Sequence, residues 1–170
     1  PFSMAGACAD VTDRRLAEEA LLERQDIINA IVETSQDWIW AIDAKGVHTF
    51  SNPAIRTILG REENEILGRT NLDFLHEDDL AKVQSIIPEC IRDRCGWENL
   101  LLRWRHKDGT YHYLESNAVP ILDVTGKLHG FRGVDRDIGP HLLGNRQAAG
   151  QRIPRNQQPG LIGTDGLQHQ

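Results

Sequence analysis

The residues of this chain best able to do chemistry are scattered, and none sits in an arrangement that hydrolysis or group transfer requires. Those reactions need a nucleophile held against a base. The chain has no Gly-x-Ser-x-Gly elbow and no glycine loop that could cradle a phosphate. Gly60 and Gly68 read as helix stops instead. His76-Glu77-Asp78-Asp79 gathers possible metal ligands, but acidic residues in such a run more often cap a helix, so no metal site is assigned. Cys8, Cys90 and Cys95 are odd in number and include no Cys-x-x-Cys, which argues against a disulfide framework or a zinc site. That cysteine usage suits a reducing, cytoplasmic setting. The densest basic group, Arg103, Arg105, His106 and Lys107, reads as a solvated strand end. With a net charge of −6 and no Lys/Arg block, nucleic acid is excluded as a partner, because such binding leans on neutralising phosphates.

What must position these residues is a single core. At 170 residues the chain holds one domain and a half at most. Ile, Leu, Val and Trp crowd the middle, and the last thirty residues are poor in them. No apolar run approaches the roughly 20 residues needed to cross a bilayer, and the N-terminus does not read as a signal peptide, so no direct membrane contact is expected.

Residues 13–34 predict a helix rich in good helix formers, with Thr12 as N-cap and Asp13 in the first turn. Leu21 and Ile28 recur at seven, with Ile31 between repeats, giving one sticky face too short for a stable coiled coil alone. Asp37–Asp43 predicts a strand with Trp38, Trp40 and Ile42 on one face and Ile39 and Ala41 on the other, both faces covered. A turn at Ala44-Lys45-Gly46 leads to a returning strand, Val47–Ser51. Asn52-Pro53 predicts a helix start with Asn52 as cap. Two short helices follow, then a longer one opened by Glu77, Asp78 and Asp79, with Leu80, Val83, Ile87 and Ile91 inward and a kink or break at Pro88. Trp97–His106, Tyr111–Leu122 and Leu128–Ile138 predict three more strands. Asp108-Gly109, read as a two-residue type I′ turn, sets Trp104 opposite Tyr113 and Arg103 opposite Leu114.

The order of elements and the residues at their joints resemble a PAS domain. The resemblance rests on Asp43-x-x-Gly46 with Ser51-Asn52-Pro53-Ala54, on Leu59-Gly60 and Ile66-Leu67-Gly68-Arg69, and on Phe74-Leu75-His76-Glu77-Asp78-Asp79. It continues through Arg103 with Lys107-Asp108-Gly109, then Pro120, Asp123, Gly126, Gly130-Phe131-Arg132-Gly133-Val134 and Arg136-Asp137-Ile138. It implies an α+β fold: a five-stranded antiparallel sheet in the order 2-1-5-4-3, helices on one face, and a cavity between sheet and helices. Gly6–Thr12 aligns with Gly133–Gly139, so residues 1–12 resemble the last strand of a preceding PAS module and 13–34 an inter-module signalling helix. The module itself spans 35–139. Residues 140–170, with five Gly, Pro154 and Pro159, are expected to be disordered.

The resemblance implies a sensory input module rather than an enzyme, within a bacterial signalling protein such as a histidine kinase or diguanylate cyclase. A small molecule of unknown identity would sit near Trp40, Asn52, Phe74, Val83, Ile87, Trp104 and Tyr113. Leu21, Ile28 and Ile31 would carry the signal and a homodimer contact. The alternatives are a ligand-free dimerisation spacer and a flavin-binding redox sensor. No tightly bound cofactor is expected. The cysteine motif of flavin photosensors is absent, residues 79–92 hold no His for haem, and Cys90 reads as a small buried hydrophobe. Trp38, Trp40, Trp97 or Trp104 could stack on an isoalloxazine ring, although core packing is the commoner role of a Trp.

Overall fold

A computed structural model describes the backbone of residues 5–139 and the side chains of 13–139. The elements run α1 (Ala5–Thr34), β1 (Trp38–Asp43), β2 (His48–Ser51), α2 (Ala54–Leu59), α3 (Glu63–Ile66), a 3-10 turn (Asn71–Asp73), α4 (Glu77–Asp93), β3 (Trp97–Arg105), β4 (Tyr111–Leu122) and β5 (Leu128–Asp137). The strands form one antiparallel sheet in the order β2-β1-β5-β4-β3, as the resemblance implied.

One face of that sheet is the core. Trp38, Trp40 and Ile42 of β1 point into it, beside Phe131 of β5, Leu114 of β4 and Leu102 and Trp104 of β3. The opposite face carries Ile39 and Ala41 half-exposed and Val119 exposed, so the described residues cover one side of β1 and not both. Each sheet edge is covered at one end. Gly68–Thr70 lies along β2, with His48 N–H donating to Arg69 O at 2.9 Å. Phe74–Asp79 lies along β3, where Arg105 N–H donates to Phe74 O at 2.7 Å and His76 N–H to Arg103 O at 2.9 Å.

Several local expectations change. Helix α1 runs back through Val11 to Ala5, where a strand remnant was expected, and Thr12 lies within the helix instead of capping it. A strand there would have no ladder to join, whereas Ala5, Ala7 and Ala9 favour a helix. Residues 140–170, expected to be disordered, lie outside the described residues, as do 1–4. Asn52 does not cap α2; its side chain is used elsewhere. Helix α4 runs through Pro88 unbroken, because the carbonyl that loses its partner belongs to exposed Gln84 and can turn to water. Ile91 is exposed, and Cys90 takes its expected place against the core. The β3–β4 hairpin is one residue off the expected register: Arg103 faces Tyr113 and Trp104 faces His112. Its loop is Lys107-Asp108-Gly109, closed by Gly109 N–H to His106 O at 3.0 Å with φ +93° at Gly109. That is the three-residue turn ending in a left-handed glycine, not the two-residue type I′ turn.

Candidate functional site

Between the inner sheet face and α4 lies a small chamber, about 20 Å³, room for one water-sized molecule. Its walls are Trp40, His48, Val83, Ile87, Trp97 and Trp104, together with Ile42 and the polar Ser116 and Asn71. No Asp, Glu, Lys or Arg lines it. It adjoins a groove of about 230 Å³ between α4 and the β1–β2 turn, and the two share Ile42, Asn71, Val83 and Ile87.

The polar inventory of the chamber is uneven. Three of the four tryptophans satisfy their indole N–H. Trp38 donates to Ser51 Oγ at 2.9 Å, Trp40 to Asp135 Oδ1 at 2.7 Å, and Trp97 to Ser116 Oγ at 3.0 Å. Among the described residues Trp104 Nε1 has no partner, and neither ring nitrogen of His48 has one. His48 and Trp104 are 2% and 3% exposed, so water at the surface does not serve them. Buried polar atoms are paired in the great majority of cases, which makes this cluster unusual.

His48 is held by rings: Trp38 stacks on it at 5.5 Å between centroids, and Trp40 and Trp104 approach edge-on at 6.2 Å each. Burial lowers its pKa from 6.5 to about 4, so it is neutral at neutral pH, with one ring nitrogen a donor and the other an acceptor. Asp135 lies fully buried behind Trp40. Burial raises its pKa to about 6 against the opposing pull of Ser116 and Trp40. Gly133 makes room for this arrangement, since a Cβ there would lie 2.6 Å from the Trp40 ring.

The structure divides the expected site residues. Trp40, Val83, Ile87 and Trp104 come together in the chamber wall. Tyr113 does not, because the register places it on the sheet face opposite Leu114, beside Arg103. Phe74 is buried beneath the guanidinium groups of Arg61 and Arg69, at 4.9 and 5.2 Å, and packs rather than lines. Asn52 is a staple. Its Oδ1 accepts from Ile39 N–H at 2.9 Å, and its Nδ2 donates to Asp37 O at 3.1 Å and to Val32 O of α1 at 2.9 Å. Leu21, Ile28 and Ile31 are 66%, 52% and 62% exposed on α1.

The residues missed from sequence are His48, Ser116 and Asp135. Strand period two puts His48 on the same face as apolar Phe50. A bulge opposite Ala41/Ile42 skips Thr49, turning His48 inward and leaving Phe50 exposed.

His76, Asp78 and Asp79 form a joint instead of a metal site. Asp79, 1% exposed, accepts from Arg103 N–H at 2.9 Å, from Arg103 Nε at 2.8 Å and from Lys82 Nζ at 2.8 Å. Burial alone would raise its pKa, but these donors outweigh it and hold the carboxyl at about 2. Among the described residues no group of His, Cys, Asp and Glu is arranged to hold a metal ion. Cys90 is buried with its thiol pushed up to about 12, first by burial and then by Cys95, which suits packing and not reactivity. No helix among the described residues is long and apolar enough to cross a membrane.

A family model described as PAS fold matches residues 27–138. The PAS domain of a protein from Colwellia psychrerythraea superposes with a TM-score of 0.61 at 23% identity, over 70% of this chain and 98% of the other. The PAS domain of an HTR-like protein from Haloarcula marismortui does so with a TM-score of 0.61 at 26% identity, over 73% and 99%. A curated relative, the aryl hydrocarbon receptor nuclear translocator homolog of Drosophila melanogaster, is 28% identical over 78 residues, 46% of this chain. The match spans 12% of that protein's length.

Proposed function

The chain belongs to the PAS family, whose domains are generally sensory input modules and commonly dimerise, and we propose that it senses a small molecule bound in the chamber between β1, β3 and α4. The observation that supports this reading is that His48 and Trp104, buried and with ring nitrogens unpartnered among the described residues, both line one chamber with no charged side chain in its wall. A structural core saturates such atoms; a binding site leaves them for its ligand.

The same geometry offers a path outward. His48 opens β2, and Ser51 and Asn52 close it. Ser51 accepts the Trp38 indole N–H, and Asn52 ties Ile39 and Asp37 to Val32 of α1. A ligand that displaces His48 or Trp38 moves the strand to which α1 is tied. It can shift α1 only by its differential affinity for the two states. In this reading α1 joins the module to a neighbouring one in a cytoplasmic signalling protein, with a kinase or cyclase as output.

Native mass spectrometry across a metabolite set, with hydrogen exchange at Val32–Asp37, tests the proposal. Binding with altered exchange there supports it; an empty chamber across the set with unchanged exchange refutes it.

A second reading, a homodimerising spacer, draws on the exposed Leu21, Ile28 and Ile31 of α1 and on Phe50 and Val119 of the outer sheet face. It predicts a stable dimer by light scattering that no ligand alters.

A further inference from the structure

The chamber's chemistry narrows what it can hold. Its unpartnered atoms amount to two donors and one acceptor, because a neutral imidazole gives one of each and an indole gives a donor. A ligand on one side of the imidazole reaches a single His48 nitrogen, so it must bring an acceptor to Trp104 and, beside it, a donor to the unprotonated His48 nitrogen. It must also be uncharged. No side chain lining the chamber carries a counter-charge, so an ion there would lose its hydration with nothing to replace it; the charged residues of the groove, Asp43 and Lys45, lie at the β1–β2 turn and not in the chamber wall. The indole N–H groups of Trp40 and Trp97 are already committed to Asp135 and Ser116 and do not compete for it.

Size and shape follow from the groove. The chamber alone takes only one polar head, so the rest of a ligand must lie in the adjoining groove against Ile42, Leu72, Ile87 and Phe131. Gln84 and Pro88 form its outer lip. Helix α4 is one backbone hydrogen bond short between those two residues, which is where it bends at least cost. A flat ring can enter by opening that lip, with its polar edge directed at His48 and Trp104.

We infer that the ligand is an uncharged, flat heteroaromatic of the lactam class, whose carbonyl accepts from Trp104 and whose ring N–H donates to the unprotonated nitrogen of His48. The inference rests on the reading that the chamber binds a ligand. Its test keeps the two apart by using three bicyclic probes of matched shape on the full chain: carbostyril (a neutral lactam), naphthalene (no polar atoms) and naphthoate (an anion). Calorimetric titration should give carbostyril at least tenfold tighter than either of the others. His48→Leu and, separately, Trp104→Phe should each cut carbostyril affinity about tenfold and leave naphthalene unchanged. Equal affinities for carbostyril and naphthalene, or naphthoate binding tightest, would overturn the lactam class while the ligand reading stands. Carbostyril binding unmoved by both substitutions would place it elsewhere and overturn the assignment. If no probe binds, the lactam assignment is overturned, and the metabolite screen with hydrogen exchange decides the ligand reading separately.

Discussion

Two buried polar groups in this domain, Asp79 and His48, are treated in opposite ways. Asp79 lies where α4 meets the β3 edge and is saturated: Arg103 and Lys82 surround it with donors. His48 lies on the edge strand β2, turned onto the sheet's inner face, and is given only rings. Both are almost fully buried, at 1% and 2% exposure, so burial does not separate them. What separates them is satisfaction. A saturated network rigidifies and specifies a joint; an unsaturated cluster costs stability unless something else completes it. On that ground the α4–β3 joint is scaffold and the chamber is the proposed site.

The largest effect should come from the joint. Asp79→Ala removes the only charged partner that fully buries against Arg103 and strands the Arg103 N–H. It is expected to cost about 3 kcal/mol, the low end for a broken buried pair because Arg103 keeps a quarter of its side chain in water. His48→Leu should fall within about 1 kcal/mol of the unsubstituted chain, or above it, since no protein hydrogen bond is lost. Urea unfolding at pH 7 reads both. A His48→Leu cost equal to that of Asp79→Ala would dissolve the comparison.

Titration sharpens it. His48 is neutral in the fold, so stability falls as pH drops from 6.5 through about 4. Asp135 behaves the other way: its raised pKa makes stability greatest below 3.8, and stability falls as pH rises through about 6. Each contributes about 3 kcal/mol from a shift of roughly two units, and over pH 4 to 6 they oppose each other. The unsubstituted chain should be nearly flat there. His48→Leu should lose stability from pH 4 to 6, and Asp135→Asn should gain it from pH 4 to 6.5. Parallel slopes in the two variants would show that these groups do not titrate as their burial dictates.

The joint and the chamber differed equally in how well sequence disclosed them. The acidic run at Glu77–Asp79 announced a helix start, and it is one; its anchoring on Arg103 needed the fold. Strand order followed from the resemblance that the motif pieces carry, and the positions of the hairpins from turn residues. Trp40, Val83, Ile87 and Trp104 followed from apolar period and reached the chamber. The misses share a cause. A bulge at Thr49 turned His48 inward, and a three-residue loop in place of two moved Tyr113 to the far face. Period two carries no record of such one-residue offsets, yet each reverses which face a side chain meets. Asn52 was found but misassigned, because its partners, Val32 and Ile39, are local only in space.

Smaller effects probe the link between the regions. Asn52→Ala removes three hydrogen bonds and should cost about 2 kcal/mol. Its more telling result is faster amide exchange at Val32–Asp37 with the chamber's ligand affinity unchanged. Ile28→Asp with Ile31→Asp should leave unfolding of the module unchanged, because both side chains are more than half exposed. In size-exclusion chromatography the same pair should weaken any self-association through α1; an unchanged elution volume would remove α1 from the interface.

The most direct test uses the four indole N–H groups as reporters. In a proton–nitrogen correlation spectrum, Trp38, Trp40 and Trp97 should resonate as hydrogen-bonded indoles and Trp104 as a free one. Saturation with carbostyril should move the Trp104 resonance downfield to join them, with Trp38 and Trp40 least affected. A Trp104 resonance that already sits with the bonded set before ligand is added, or that stays fixed while carbostyril binds, would contradict the account.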